Sequence, residues 1–462
     1  MKDGALGVMG AASTGSFAAT GVAAIPSNGV VVFTDPGEVE KKTGDGPLRD
    51  LIVSALSVAK TTVYAVALEG TVAGTVSSVA AGSANTGSGT IAVLGSPRNE
   101  YDITAAIIKS GGLNEAAFRV TVDGAEGKII TVPDGDAEYA IPGTGLTIRF
   151  APGAGMFEEG DTFTFSSTEP RATNGEVLEA VETVLDAKLA IEWIAVAGVS
   201  SEPLWAALAV KAEGAEPAYQ YLFFIAQARG KHQNETLGQW AMALAGVERG
   251  NTASTRLEVC AGWIEEADAN GQADERNMTG AYCGTLAQRD VRQGPDAVRY
   301  GGIKAATALK PDGINDGHIE TLKNAGYVTA RKITGLNGIY VTSGQMMSET
   351  GSGYGQAERR RVTGKACRQI RAAQLFYLND VVKAGADGSP EGLDMFIAQS
   401  ENPLRIMKTG GEISDGYVVI PPGQNILSTK TVRAKIRIVP LGKMSCIENE
   451  IACSNPALGV KE

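Results

Sequence analysis

The chain has 462 residues, 44% of them hydrophobic and 20% charged, a composition that belongs to folded protein and excludes a disordered one. Its formal net charge is −11, which argues against a general nucleic-acid binder, because phosphate contacts need an excess of Lys and Arg. The 58 glycines suit tight turns and closely packed β segments, and the length leaves room for roughly two to four domains.

Residues 1–29 are rich in Gly, Ala, Ser and Thr and poor in large apolar groups. Such a segment is expected to be disordered or to be an arm that orders on a neighbouring molecule. It has one lysine before residue 20 and no uninterrupted apolar run, so a signal peptide is not expected. No stretch approaches the ~20 apolar residues of a membrane span. The expected product is soluble and cytoplasmic when made.

From Gly29 the pattern is α/β. Strands are expected at 30–34 and 62–68 with a helix at 47–60 between them. After a break the alternation resumes with helix 175–189, strand 191–197, helix 202–212, strand 219–226, helix 235–245, strand 256–261 and helix 274–288. Apolar strands alternating with helices describe a parallel sheet covered on both faces. A discontinuous α/β domain over 30–69 and 171–310 follows. The intervening residues 70–170 are rich in Gly, Thr and Val. They alternate at 118–122, 128–132, 146–150 and 162–166, with turn pairs at Asp123-Gly124 and Asp134-Gly135. That is the pattern of an inserted antiparallel sandwich or barrel.

Groups able to do catalytic chemistry are sparse. The two histidines, His232 and His318, stand in polar turn contexts without further ligands at metal spacing. No GxxxxGK[ST] or GxSxG motif occurs, and Gly351-Ser352-Gly353-Tyr354-Gly355 misses the GxGxxG spacing. Glu265 and Glu266 open a polar run, through Glu275, that reads as solvated loop. The five cysteines, Cys260, Cys283, Cys367, Cys446 and Cys453, form no CxxC pair, so reduced, mostly buried thiols are expected. No catalytic residue, metal or cofactor is expected, and the chain reads as a non-enzyme.

The densest pattern runs from Tyr327 to Asp380. Strands 327–333 and 338–343 meet at Gly335-Leu336-Asn337-Gly338, a hairpin signal. A Gly/Ser loop, 348–355, leads to a run at 356–362 carrying Arg359, Arg360 and Arg361. A long helix over 363–383 follows, with Ile370, Tyr377, Leu378, Val381 and Val382 as its apolar stripe. Arg361, Lys365, Arg368 and Arg371 crowd its opposite face. Beyond lie a helix near 390–407, a β segment at 415–423 and a strand at 429–440. In that strand Val432, Ala434, Ile436 and Ile438 alternate with Thr431, Arg433, Lys435 and Arg437. A last strand-like piece, 443–453, includes Ile447 and Ile451 and has no evident partner in its own chain.

This order resembles the C-terminal core of contractile tail sheath proteins of phages and related injection systems: hairpin, polar loop, arginine-bearing strand, long helix, paired strands and arm. The resemblance covers the last third closely and the rest by architecture. It implies a parallel α/β domain with an inserted antiparallel β domain, then an α+β sheath core over 311–442. The arms would be 1–29 and 443–462. It implies a structural subunit that polymerises as stacked rings around an inner tube and contracts without hydrolysing nucleotide. The partners implied are further copies joined through both arms, the inner tube protein, and baseplate and terminator proteins, with no nucleic acid and no membrane insertion. Assembly would take place in the host bacterial cytoplasm, and the product would be a phage tail or tail-like particle. Arg359, Arg360, Arg361, Lys365, Arg368, Arg371, Ile447 and Ile451 are the candidate contacts to a neighbour or to the tube. The alternatives are another polymeric structural protein, of tail-tube or surface-layer type, and an α/β enzyme with a β insert.

Overall fold

The computed structural model describes residues 16–23, 29–153, 156–232, 235–267, 273–349 and 351–445. The chain forms two compact units, Met1–Ala372 and Ala373–Glu462. The first is built on a six-stranded sheet in the order Leu257–Cys260, Phe223–Gln227, Trp193–Val199, Phe17–Val22, Val63–Leu68, Val31–Phe33. The first five strands run parallel. The last is antiparallel and closes one edge. At the other edge Val328 bridges Cys260 in parallel.

Each inner strand buries both faces, as strands of a helix-covered parallel sheet must. Phe17, Ala19, Trp193, Ala195, Phe223 and Ile225 point into one core. Ala18, Ile194, Val196, Phe224 and Ala226 point into the other. Helices Pro47–Val58 and Thr279–Gln288 cover the first face; Asn174–Asp186 and Glu202–Ala215 cover the second. The helix starts follow local chemistry. Thr173 with Glu176, and Thr236 with Gln239, form reciprocal capping boxes, and Pro47 stands at the first turn of its helix. Gly280 and Gly284 let the two helices on the first face touch. A Cβ at Gly280 would lie 2.7 Å from Leu51 O, and one at Gly284 would lie 2.5 Å from Ala55 O.

Residues 70–170 form two antiparallel sheets. One contains Thr90–Gly95, Leu146–Ala151 and Glu138–Ala140. The other contains Ala80–Ala81, Thr162–Ser167, Tyr101–Lys109, Ala117–Val122 and Ala125–Thr131. They enclose their own core, with Phe118, Phe150, Phe157 and Phe163 in edge and tilted contacts. Polar contacts tie this body to the α/β part. Tyr101 Oη donates to Asp45 Oδ2 at 2.6 Å, Asn99 Nδ2 to Asp50 Oδ2 at 2.7 Å, and Thr71 Oγ1 to Glu176 Oε2 at 2.7 Å.

Several expectations need correction. The arm expected over 1–29 is not wholly an arm: Phe17–Val22 is the interior strand of the chain's own sheet, paired on both sides. The polar run after Glu265 is no plain loop, because Trp263–Ala267 and Ala273–Asn277 pair as a hairpin, extended by Ala306–Lys310. The helix expected from 274 starts at Thr279. The hairpin expected over 327–343 pairs only Ala330–Arg331 with Tyr340–Val341. Of residues 356–362, all after Gln356 are helical: one helix runs Ala357–Gln374 and turns into a 3₁₀ piece, Leu375–Tyr377. The expected stripe ends with it, for Leu378 and Val381 are exposed. The compact division falls after Ala372, inside that helix, and not at 310/311.

Replacing Gly284 by valine is expected to lower folding stability by about 1–3 kcal/mol through overpacking. Urea denaturation followed by circular dichroism measures it. Wild-type stability would mean the two helices separate more readily than their packing implies.

Candidate functional site

The helix Ala357–Gln374 carries every arginine expected to contact a neighbour or the tube. Ala, Arg, Gln and Glu favour it intrinsically. Gly364, which opposes it, sits where a Cβ would be 3.1 Å from Tyr221 O and 3.2 Å from Arg368 Nη1. The glycine is therefore a point of close approach to the segment that leads into the strand Phe223–Gln227.

Arg361 is 2% exposed. Its Nε donates to Glu192 Oε2 at 2.6 Å, its Nη1 donates to Arg289 O at 3.2 Å, and its guanidinium lies 5.6 Å from the Trp193 ring centroid. Arg360 donates to Thr255 O and Oγ1 at 3.0 and 2.8 Å and covers the Tyr354 ring. Burial, with Arg256 beside it, pushes its pKa down to about 10. Arg368 Nη1 donates to Tyr221 O at 2.8 Å, and burial lowers its pKa as well. Of the residues expected to reach a neighbour or a tube, Arg360 and Arg361 are buried, and they and Arg368 make these hydrogen bonds inside the first unit. Arg359, Lys365 and Arg371 are half-buried. Arg359 donates to Gly353 O, and Arg371 lies 3.7 Å over the ring of Tyr219. These three remain at the helix surface. Ile447 and Ile451 lie outside the described residues.

The sequence did contain the missing partner. Glu192 interrupts the apolar run Leu189-Ala190-Ile191-Glu192-Trp193-Ile194, and a carboxylate among buried positions requires a cation or a hydrogen-bond donor nearby. Tyr221 offered no such signal, because it is bound through its backbone carbonyl, and Thr255 offered none because it is bound through its carbonyl and an uncharged hydroxyl.

At the C-terminal ends of the parallel strands lies a cleft of about 510 Å³, lined by Gly21, Val196, Gly198, Glu169 and Arg229 among others. Open α/β sheets bind ligands at such ends. Here Arg229 is engaged by Glu235 and Glu248 at 2.8 and 2.6 Å, and Glu169 accepts from the Val199 amide at 2.7 Å. Burial raises the Glu169 pKa. Among the described residues no three His, Cys, Asp or Glu side chains gather as metal ligands would. His318 serves its own helix cap, with Asn315. Cys260 and Cys283 are buried free thiols, while Cys446 and Cys453 lie outside the described residues.

The second unit, by itself, is a small α/β body. Asp415–Val419 pairs antiparallel with Lys435–Val439, and helix Asp394–Thr409 supplies Leu404 and Met407 to a core with Ile413 and Val418. The alternation expected over 429–440 is present. Ile436 and Ile438 are half-buried, whereas Lys435 and Arg437 are exposed. Among the described residues this sheet has two strands. Glu401 Oε1 accepts from the Val418 amide at 2.9 Å, so the helix closes part of one edge. Among the described residues no strand lies beside the outer edge of Lys435–Val439.

Arg361→Ala leaves the Glu192 carboxylate buried beside an empty site and is expected to destabilise the first unit by about 3–5 kcal/mol. Arg359→Ala is expected to change stability by less than about 1 kcal/mol. Thermal and urea unfolding of both variants compare the two. Equal, small effects would mean that Glu192 finds another partner.

The chain matches the family model for the DUF2586 N-terminal domain over residues 1–345 and that for the DUF2586 C-terminal domain over residues 354–458. No curated protein sequence matches it. Among solved structures, it is similar to the sheath tail protein of Listeria innocua at 13% identity and a TM-score of 0.50, covering 94% of this chain and 98% of that one. It is similar to a chain of the anti-feeding prophage baseplate at 10% identity and a TM-score of 0.55, covering 96% and 94%. The contracted helical sheath of the anti-feeding prophage gives 10% identity and a TM-score of 0.52, covering 95% and 92%. At such identities the likeness is one of fold, and it extends over nearly the whole length. The chain belongs to the DUF2586 family, with the fold of sheath tail proteins.

Proposed function

We propose that this chain is the subunit of a contractile tail sheath, polymerised as stacked rings around an inner tube and held in a metastable extended state. The observation that carries the reading is the sheet of the second unit, which among the described residues has only two strands. Two strands are marginal alone, and the outer edge of Lys435–Val439 offers a backbone ladder to a strand from elsewhere. The whole-length likeness to sheath tail proteins supports the same reading. So do the apolar side chains that this unit leaves in the open, among them Phe376 at 80% and Val381 at 93% exposure, which a polymer can bury.

The exchanged segments are the chain preceding Ser16 and the chain beyond residue 445. The N-terminal boundary moves from the expected 29 to 15, since Phe17–Val22 belongs to the chain's own sheet. Roughly five to ten ladder hydrogen bonds of about 0.5–1.5 kcal/mol each would give several kcal/mol per exchanged strand, less its ordering entropy. Backbone pairing of this kind survives a large rigid-body movement while side-chain contacts between rings break and reform. The energy of contraction is stored in the assembly, and this chain hydrolyses no nucleotide. Its partners are further copies of itself, the inner tube protein, and baseplate and terminator proteins. Arg359, Lys365 and Arg371 remain candidates for contact with a neighbour. Residues 70–170, with a core of their own, form an outward module dispensable for the mesh.

Deleting residues 446–462, or residues 2–15, is expected to leave a folded, soluble chain that no longer sediments as a polymer. Replacing residues 71–169 by a short Gly/Ser linker is expected to leave polymerisation intact. Sedimentation beside the full-length chain, with circular dichroism as the folding control, reads all three. Normal polymers from either truncation would remove strand exchange from the account. A folded, non-assembling linker variant would make the insert part of the mesh.

A further inference from the structure

The strand Phe17–Val22 is short and built from small residues, Phe-Ala-Ala-Thr-Gly-Val, yet it occupies the middle of the sheet. It pairs in register with all six residues of Val63–Leu68 on one side and with Ile194, Ala195 and Val196 on the other. The residues where the chain enters it are held separately. Ser16 O accepts from the Glu192 amide at 3.0 Å, and the Phe17 amide donates to Thr62 O at 3.3 Å. The Phe17 ring, fully buried, stacks on Trp193 with centroids 5.2 Å apart and planes at 11°. Arg361 covers that same indole and binds the carboxylate of Glu192. One residue, Glu192, thus holds the entering backbone through its amide and the covering helix through its side chain.

We propose that this arrangement is a mechanical anchor for the polypeptide that precedes Ser16. The inference rests on the reading of that segment as a strand exchanged between subunits. An exchanged arm transmits tension to its root when rings move apart or rotate. Pull along Phe17–Val22 loads its backbone pairs in shear, so they resist together and do not open one after another.

Slipping is blocked by shape as well. Gly21 lies across from Ala197, where a Cβ would come within 2.7 Å of the Ala197 Cβ. Moving the strand outward by one residue would bring Val22 into this slot and turn every side chain to the wrong face. A shift of two residues restores the faces but brings in Ala23, whose Cβ does not fit. It also pulls Phe17 off Trp193. Arg361 and Glu192 act here as positioning residues: they keep the indole and the Glu192 amide in place against the entering chain.

Stretching single molecules of the full chain, held by its two ends, tests the anchor without requiring any polymer. For the wild type, the first unit is expected to resist until it opens as a whole, with no earlier release of the residues up to the strand Val31–Phe33. In Arg361→Gln and in Phe17→Leu that single opening is expected to be lost, the N-terminal strand coming away first and at lower force. The leucine variant keeps the ion pair and serves if the first variant does not fold by circular dichroism. Early release of the strand from the wild type, or unchanged traces from a folded variant, would overturn the anchor. Tube formation is scored separately by microscopy, so loss of the sheath reading and loss of the anchor are distinguishable.

Discussion

A guanidinium and a carboxylate shut away together, Arg361 and Glu192, hold the first unit in its present form. Each ion loses several kcal/mol of hydration on burial, and a single pair restores that only with good geometry and further hydrogen bonds. Here the geometry is close, at 2.6 Å, and Arg289 O and the Trp193 face take up more of the guanidinium. The pair joins the helix Ala357–Gln374 to the residue that precedes the strand Trp193–Val199. Through Ser16 it also reaches the entry of the central strand. Elements far apart in sequence, near residues 16, 192, 289 and 361, are thereby fixed to one another. The apolar cores on both faces of the sheet supply most of the stabilisation, but they are tolerant of rearrangement in a way that a buried charge is not.

Much of the fold was legible in the sequence because its signals are local. Apolar runs such as Phe223–Gln227 and Trp193–Val199, alternating with capped helices, describe a helix-covered parallel sheet. The two-residue alternation of 118–132 and the Asp-Gly turns at 123–124 and 134–135 describe antiparallel strands. The errors arise where tertiary context decides. Phe17–Val22 looked too poor in large side chains to be core, but Gly21 is small because Ala197 leaves no room for a Cβ. The arginines at 359–361 looked like a solvent-facing or intermolecular patch, since charge alone does not reveal that a carboxylate waits 169 residues upstream. The 356–362 run, read as a strand, is helix: Ala357, Arg360, Arg361 and Gly364 recur at helical spacing along its buried face.

The two units differ in how complete they are. The first satisfies its sheet on both sides, by the antiparallel Val31–Phe33 at one edge and the Val328 bridge at the other. Among its described residues the second has a two-stranded sheet with an edge left over, and apolar side chains in the open. A sheet that small gains by acquiring strands, and a polymer is the setting in which identical neighbours supply them. The cleft at the strand ends of the first unit, by contrast, has its principal charges already matched to one another.

The central claim, that this chain builds a sheath, is met most directly by electron microscopy of the purified full-length protein in negative stain. The account predicts hollow tubes made of stacked rings, with a lumen wide enough to hold an inner tube. Discrete globular particles at every concentration and salt condition would contradict it.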